Sequence, residues 1–75
     1  MIKELDRIVL NINLPVSHLK KGDIGTVVTV HKRGKGYEVE FITLDGKTVS
    51  VETLSSNDIK PIRKSQIAHA RELAE

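Results

Sequence analysis

Tyr37-Glu38-Val39-Glu40-Phe41-Ile42-Thr43, then Leu44-Asp45-Gly46, then Lys47-Thr48-Val49-Ser50-Val51-Glu52-Thr53 is the stretch that decides the fold. On either side of Asp45-Gly46, apolar and polar residues alternate with the period of two that a half-buried strand requires. If Phe41 and Val49 are to face one core they must lie opposite one another, which pairs Val39 with Val51 and Thr43 with Lys47. A three-residue loop, Leu44-Asp45-Gly46, is left, with glycine in the last position, where such loops favour a left-handed residue. A two-residue turn would set Phe41 against Ser50 and send one strand's apolar set outward. In the three-residue register Glu38 lies across from Glu52 with Glu40 nearby, and Val27 and Ile42 point to that same outer face.

Working outward, turn signals recur at short intervals, which favours an all-β domain over βαβ units. Leu5 to Leu10 and Ile24 to His31 read as strands separated by a long loop, Asn11 to Lys21. The hairpin after His31 turns at Lys32-Arg33-Gly34-Lys35 and pairs Val30 with Tyr37 and Val28 with Val39. Leu54 to Asp58 reads as one helical turn. Ile59 to Ile62 is a last strand whose Pro61 demands an edge or a strand end. From Lys64 onward there is no glycine, proline or β-run, and alanine, leucine, arginine and glutamate predict a short helix that Ser65 would cap. Five strands with one helical turn before the last is the order of an SH3-like barrel. The expected architecture is therefore such a barrel over residues 1–63 with a helical tail over 64–75.

Composition narrows the chemistry. At 75 residues the chain holds one domain with a thin core. It has no cysteine, so disulfides, thiolate metal sites and thiol nucleophiles are excluded together. The mixed-charge start, Met1 to Arg7, has no apolar stretch of a secretory leader. No run of about 20 apolar residues spans a membrane. The expectation is a soluble, cytoplasmic protein. His18, His31 and His69 stand on a loop, a strand end and the tail, none beside a second ligand at metal spacing. Ser17 and Ser65 lack an acidic partner and an oxyanion loop. These residues predict no enzyme, no cofactor and no small-molecule substrate.

The net charge of +2 is slight, so placement matters more than total. Lys32, Arg33 and Lys35 crowd one turn and Lys20 and Lys21 precede the same strand. If a barrel brings those loops to one end, five positive charges meet there and suit a phosphate or an acidic partner. The plain alternative is a solvated pair of turns. Tyr37 and Phe41 are the only aromatics and both are taken by the core, so none remains for base stacking. The tail offers Ile67, Ala70 and Ala74 at helical spacing with Leu73 beside them, a narrow apolar stripe.

Two resemblances follow from these residues. Lys21-Gly22-Asp23-Ile24-Gly25-Thr26-Val27 resembles the second half of the KOW motif of ribosomal proteins and transcription elongation factors, where Gly22 serves a turn and Gly25 a close approach. More of the chain is similar to a family of small bacterial proteins, the domain-of-unknown-function family numbered 4926. The similarity runs through Leu5 to Leu10, Gly22 to Val28, Tyr37 to Phe41 and Asp45 to Thr48. It implies a bacterial setting, no established activity, and a two-protein module such as a toxin with its antitoxin. The reading that results is a protein-binding module, antitoxin-like or an accessory subunit. Its contact would be made by Val27, Ile42, Glu38, Glu40 and Glu52 with the tail's Ile67, Ala70, Leu73 and Ala74, on a partner or a second copy. The competing reading is a KOW-like RNA or DNA contact through Lys20, Lys21, Lys32, Arg33 and Lys35.

Overall fold

The computed structural model describes residues 2–73. Five antiparallel strands form one sheet: β1 (Arg7–Leu10), β2 (Ile24–His31), β3 (Gly36–Ile42), β4 (Thr48–Ser55) and β5 (Ile59–Pro61). They lie in the order β4-β3-β2-β1-β5. The sheet is open, with β4 and β5 at its edges. Pro61 sits in an edge strand, as its missing N–H requires. A 3-10 turn, Pro15–Ser17, interrupts the long loop between β1 and β2.

The core is Ile8, Leu10, Leu19, Val27, Tyr37, Val39, Phe41, Leu54 and Ile59. Two β-bulges decide which residues reach it. In β2 the core must receive both Gly25 and Val30, which stand an odd number of residues apart and so fall on opposite faces of a regular strand. Gly25 has to face inward because the Phe41 ring fills the space above it: a Cβ there would lie 2.8 Å from Phe41 Cε1. The strand reconciles the two by pairing Val27 with Val39 and Thr29 with Glu38, leaving Val28 as the extra residue. Val27 is therefore fully buried and Val28 is exposed, the reverse of the sequence reading. The pairing of Val30 with Tyr37 stands as read.

The β3–β4 hairpin behaves the same way. Its tip is the three-residue loop: the Thr43 amide donates to the Lys47 carbonyl at 2.9 Å, and Gly46 has φ +89°. Beyond the tip the register departs from the expected one. Phe41 pairs with Ser50 and Ile42 with Thr48, so Val49 is the extra residue. The shift turns Val51 outward and brings Leu54 against Tyr37, burying a larger side chain in exchange for a smaller one. It also places Glu52 opposite Val39 instead of Glu38, so the like-charge pair expected from sequence does not form.

Two expected helical pieces are absent. Leu54 continues β4, and Ser56 to Asp58 form a turn in which the Ser55 amide donates to Asp58 Oδ2 at 3.0 Å. The C-terminal helix is not formed among the described residues. A short turn at Lys64 and Ser65 is held by the Gln66 amide donating to the Arg63 carbonyl at 3.0 Å. The chain then continues without regular structure to Leu73. The expected stripe is narrow and alanine-rich, and a helix of this length is marginal without a packing partner. Every residue from Ile62 to Ala70 is exposed, so among the described residues none buries this stretch.

Candidate functional site

Strand pairing sets the outward face of the sheet in rows. Arg7 pairs with Thr26, Thr26 with Glu40 and Glu40 with Val51. One step along the strands, Val9 pairs with Ile24 and Ile42 with Thr48. The β-branched aliphatics of this face are left in solvent: Ile24 is 39% exposed, Val28 40%, Ile42 53% and Val51 52%. Of these, only Ile42 is legible from sequence. Ile24 alternates with Gly25 and stood on no inferred face, while Val28 and Val51 face outward only because of the bulges.

The two outward carboxylates are fixed in place. Thr53 Oγ1 donates to both oxygens of Glu38 at 2.9 Å, and His31 Nε2 lies 3.0 Å from Glu38 Oε2. Thr48 Oγ1 donates to Glu40 Oε2 at 2.7 Å. Glu38 and Glu40 thus stand on β3 among the aliphatic residues, with negative charge held by hydroxyls, which leaves each carboxylate free to accept further hydrogen bonds from a cation. Glu52 stands on the opposite, inner face. It is half-buried and accepts hydrogen bonds from Ser17 Oγ at 2.7 Å and from Ser50 Oγ. The sequence reading missed this link between the long loop and the edge strand, because Ser50 and Glu52 face inward only in the bulged register.

The other expected site residues separate. Ile67 is 94% exposed and Ala70 is exposed, and without a helix they form no stripe with Leu73. Ala74 lies outside the described residues. The basic residues are also divided. Lys20 and Lys21 precede β2 while Lys32, Arg33 and Lys35 follow it, so the eight residues of β2 stand between the two groups. Lys32 and Arg33 both adopt left-handed backbone conformations, φ +49° and +57°. Among the described residues no three histidine, aspartate or glutamate side chains converge as a metal site.

One contact joins residues that sequence distance hides. Arg71, 48 positions beyond Asp23, makes a bidentate pair with it: Nη2 to Oδ2 at 2.6 Å and Nε to Oδ1 at 2.8 Å. Arg71 Nη2 also donates to the His18 carbonyl at 2.9 Å. The Lys20 amide donates to Asp23 Oδ2 at 2.8 Å, fixing the carboxylate in a tight turn. Burial pushes the Asp23 carboxyl pKa up, but the Arg71 and Lys20 hydrogen bonds and charges outweigh it, and the net shift is downward. Such a group stabilises the folded arrangement above the free carboxyl value of about 4, and the contribution is lost as pH falls through its lowered value. The tail attachment is accordingly expected to persist at neutral pH and to release in acid. The check is the Arg71 Nε–H proton resonance, which should collapse toward that of free arginine on acidification and, at neutral pH, in Asp23→Asn. A resonance indifferent to both changes would refute the pairing.

A small antiparallel sheet whose outer face interleaves aliphatic residues with carboxylates defines a class of compact β domain. The chain belongs to the family described as Domain of unknown function (DUF4926), whose model matches residues 4–61. The match ends at the last residue of β5, so the tail with Arg71 lies beyond it. Neither the curated proteins nor the solved structures gave a match.

Proposed function

We propose that the chain is a non-enzymatic protein-binding module whose outer sheet face receives a partner. The observation that carries this reading is the set of solvent-facing aliphatics, Ile24, Val28, Ile42 and Val51, beside the fixed carboxylates Glu38 and Glu40. Exposed apolar residues rimmed by polar ones mark interaction sites. The complementary surface carries lysine or arginine interleaved with aliphatic side chains. An SH3-like barrel is the finer form of the fold we infer. Its support is the pair of bulges, which increase local twist and bend a sheet, and the bond from Ser17 to Glu52, which ties the β1–β2 loop to the far edge. A cytoplasmic, bacterial two-protein system, with this chain as an antitoxin-like or accessory subunit, is the setting we infer from the resemblance to this family. The KOW-like reading has less support, because its five charges are split by β2.

The test is Ile42→Lys combined with Val51→Lys. Both side chains are half in solvent, so stability should change by only about 0.5 kcal/mol per site. Proteins captured from host cells by tagged wild type and by the variant would be identified by mass spectrometry and the principal one purified. The reading expects direct binding to wild type and at least a tenfold loss with the variant. Equal binding to both overturns it.

A further inference from the structure

The tail points to a second binding surface, distinct from the outer sheet face. A groove of about 540 Å³ opens between the 3-10 turn and the β3–β4 hairpin, with Val16, Ser17, Thr48, Val49 and Ser50 on its walls. Leu73 forms part of its lining, and next to it Arg71 holds Asp23 and the His18 carbonyl by three hydrogen bonds. The preceding nine residues, Ile62 to Ala70, are exposed throughout. The far end of the tail is therefore attached by an arginine and a leucine two residues apart. Asp23 and the groove's other lining residues fall within the family match, whereas Arg71 and Leu73 fall outside it.

We propose that Asp23 and the groove beside it recognise an extended segment of another protein carrying an arginine two residues ahead of an aliphatic side chain, and that Arg71 and Leu73 hold this site in cis as a competitor. The ligand chemistry is read from the occupant. A carboxylate pre-set by the Lys20 amide takes a guanidinium in a fork that lysine cannot reproduce. The groove takes the aliphatic side chain. Leu73 remains 38% exposed and the space it lines is open, so a longer segment has room to add contacts. A flexible tether of this length holds its end at an effective concentration on the order of millimolar. A second copy's tail at micromolar concentration does not overcome that, while a partner segment with more contacts does.

The experiment uses the full chain and a fluorescent synthetic peptide with the sequence of residues 64–75. Peptide anisotropy is measured against wild type, Arg71→Ala, Leu73→Asp, and Arg71→Ala combined with Asp23→Asn. Releasing the tail by either single substitution should strengthen peptide binding about tenfold over wild type, and adding Asp23→Asn should abolish it. An Arg-to-Lys peptide should bind more weakly than the parent. Equal binding to wild type and to both released variants, or no binding to any, overturns the proposal. So does light scattering that finds wild type dimeric and Arg71→Ala monomeric, which would assign the groove to a second copy. Neither result depends on Ile42 or Val51, so the outer-face reading stands or falls separately.

Discussion

Phe41→Ala is expected to destabilise the domain by about 3–5 kcal/mol, the range for truncating a buried aromatic ring. Phe41 is the largest of the fully buried side chains and is 2% exposed. It stands on β3, between the two longest strands, β2 and β4. In a domain of this size each kcal/mol moves the melting temperature by about 4–8 °C, so the midpoint should fall by roughly 15 °C or more. Circular dichroism melting of the variant beside Ile42→Ala gives the comparison. Ile42 is 53% exposed and its truncation should be nearly silent. A Phe41→Ala midpoint within a degree or two of wild type would mean that the core has been placed on the wrong face.

Gly25→Ala is the second large effect, and it acts by overfilling. The added methyl would stand 2.6 Å from Val39 Cγ1 and 2.8 Å from Phe41 Cε1. Both neighbours belong to the buried core, so neither has solvent to retreat into. The Gly25 backbone is not left-handed, so alanine meets no conformational penalty and the loss is steric. Overpacking of this kind costs about 1–3 kcal/mol. The steric origin predicts a coupling that simple loss of a glycine would not show. Gly25→Ala placed on Phe41→Leu, which removes the ring, should cost less than it does on wild type. Chemical denaturation of the four proteins closes the cycle, and contacting residues couple by about 0.5–3 kcal/mol. Additive losses would show that the methyl and the ring do not meet.

These two positions also mark how far the sequence could be read. The alternation of Tyr37, Val39 and Phe41, the glycine of the Leu44-Asp45-Gly46 loop and the edge position of Pro61 are local signals, and the structure has all three. The two bulges are not local. Each exists because residues at incompatible parity, Gly25 with Val30 and Val49 with Leu54, must all reach one core, and that demand comes from other strands. Every error on the outer face descends from them: Val27 placed outside, Val51 placed inside, Glu52 set against Glu38. Leu19 was hidden differently, inside a loop with no periodicity to flag it, though it is 4% exposed. The tail was misread because helix propensity was judged without a surface to support it. Asp23 and Arg71 carry no signal in sequence, since their meeting depends on where an irregular tail returns.

Val28 and Val49 are extra residues in the literal sense that the pairing on either side of each is regular without them. Removing one would join Val27 directly to Thr29, or Thr48 directly to Ser50, with every remaining side chain still on its present face. The chain thus separates two kinds of information that are usually written together. One is the order in which residues face the core, which a single-residue deletion at either position would preserve. The other is the curvature of the sheet, which the same deletion would erase. Length variation among relatives at Val28 would therefore alter the shape of the outer surface without altering what the protein buries, whereas at Val49 it would also remove a side chain packed against the core.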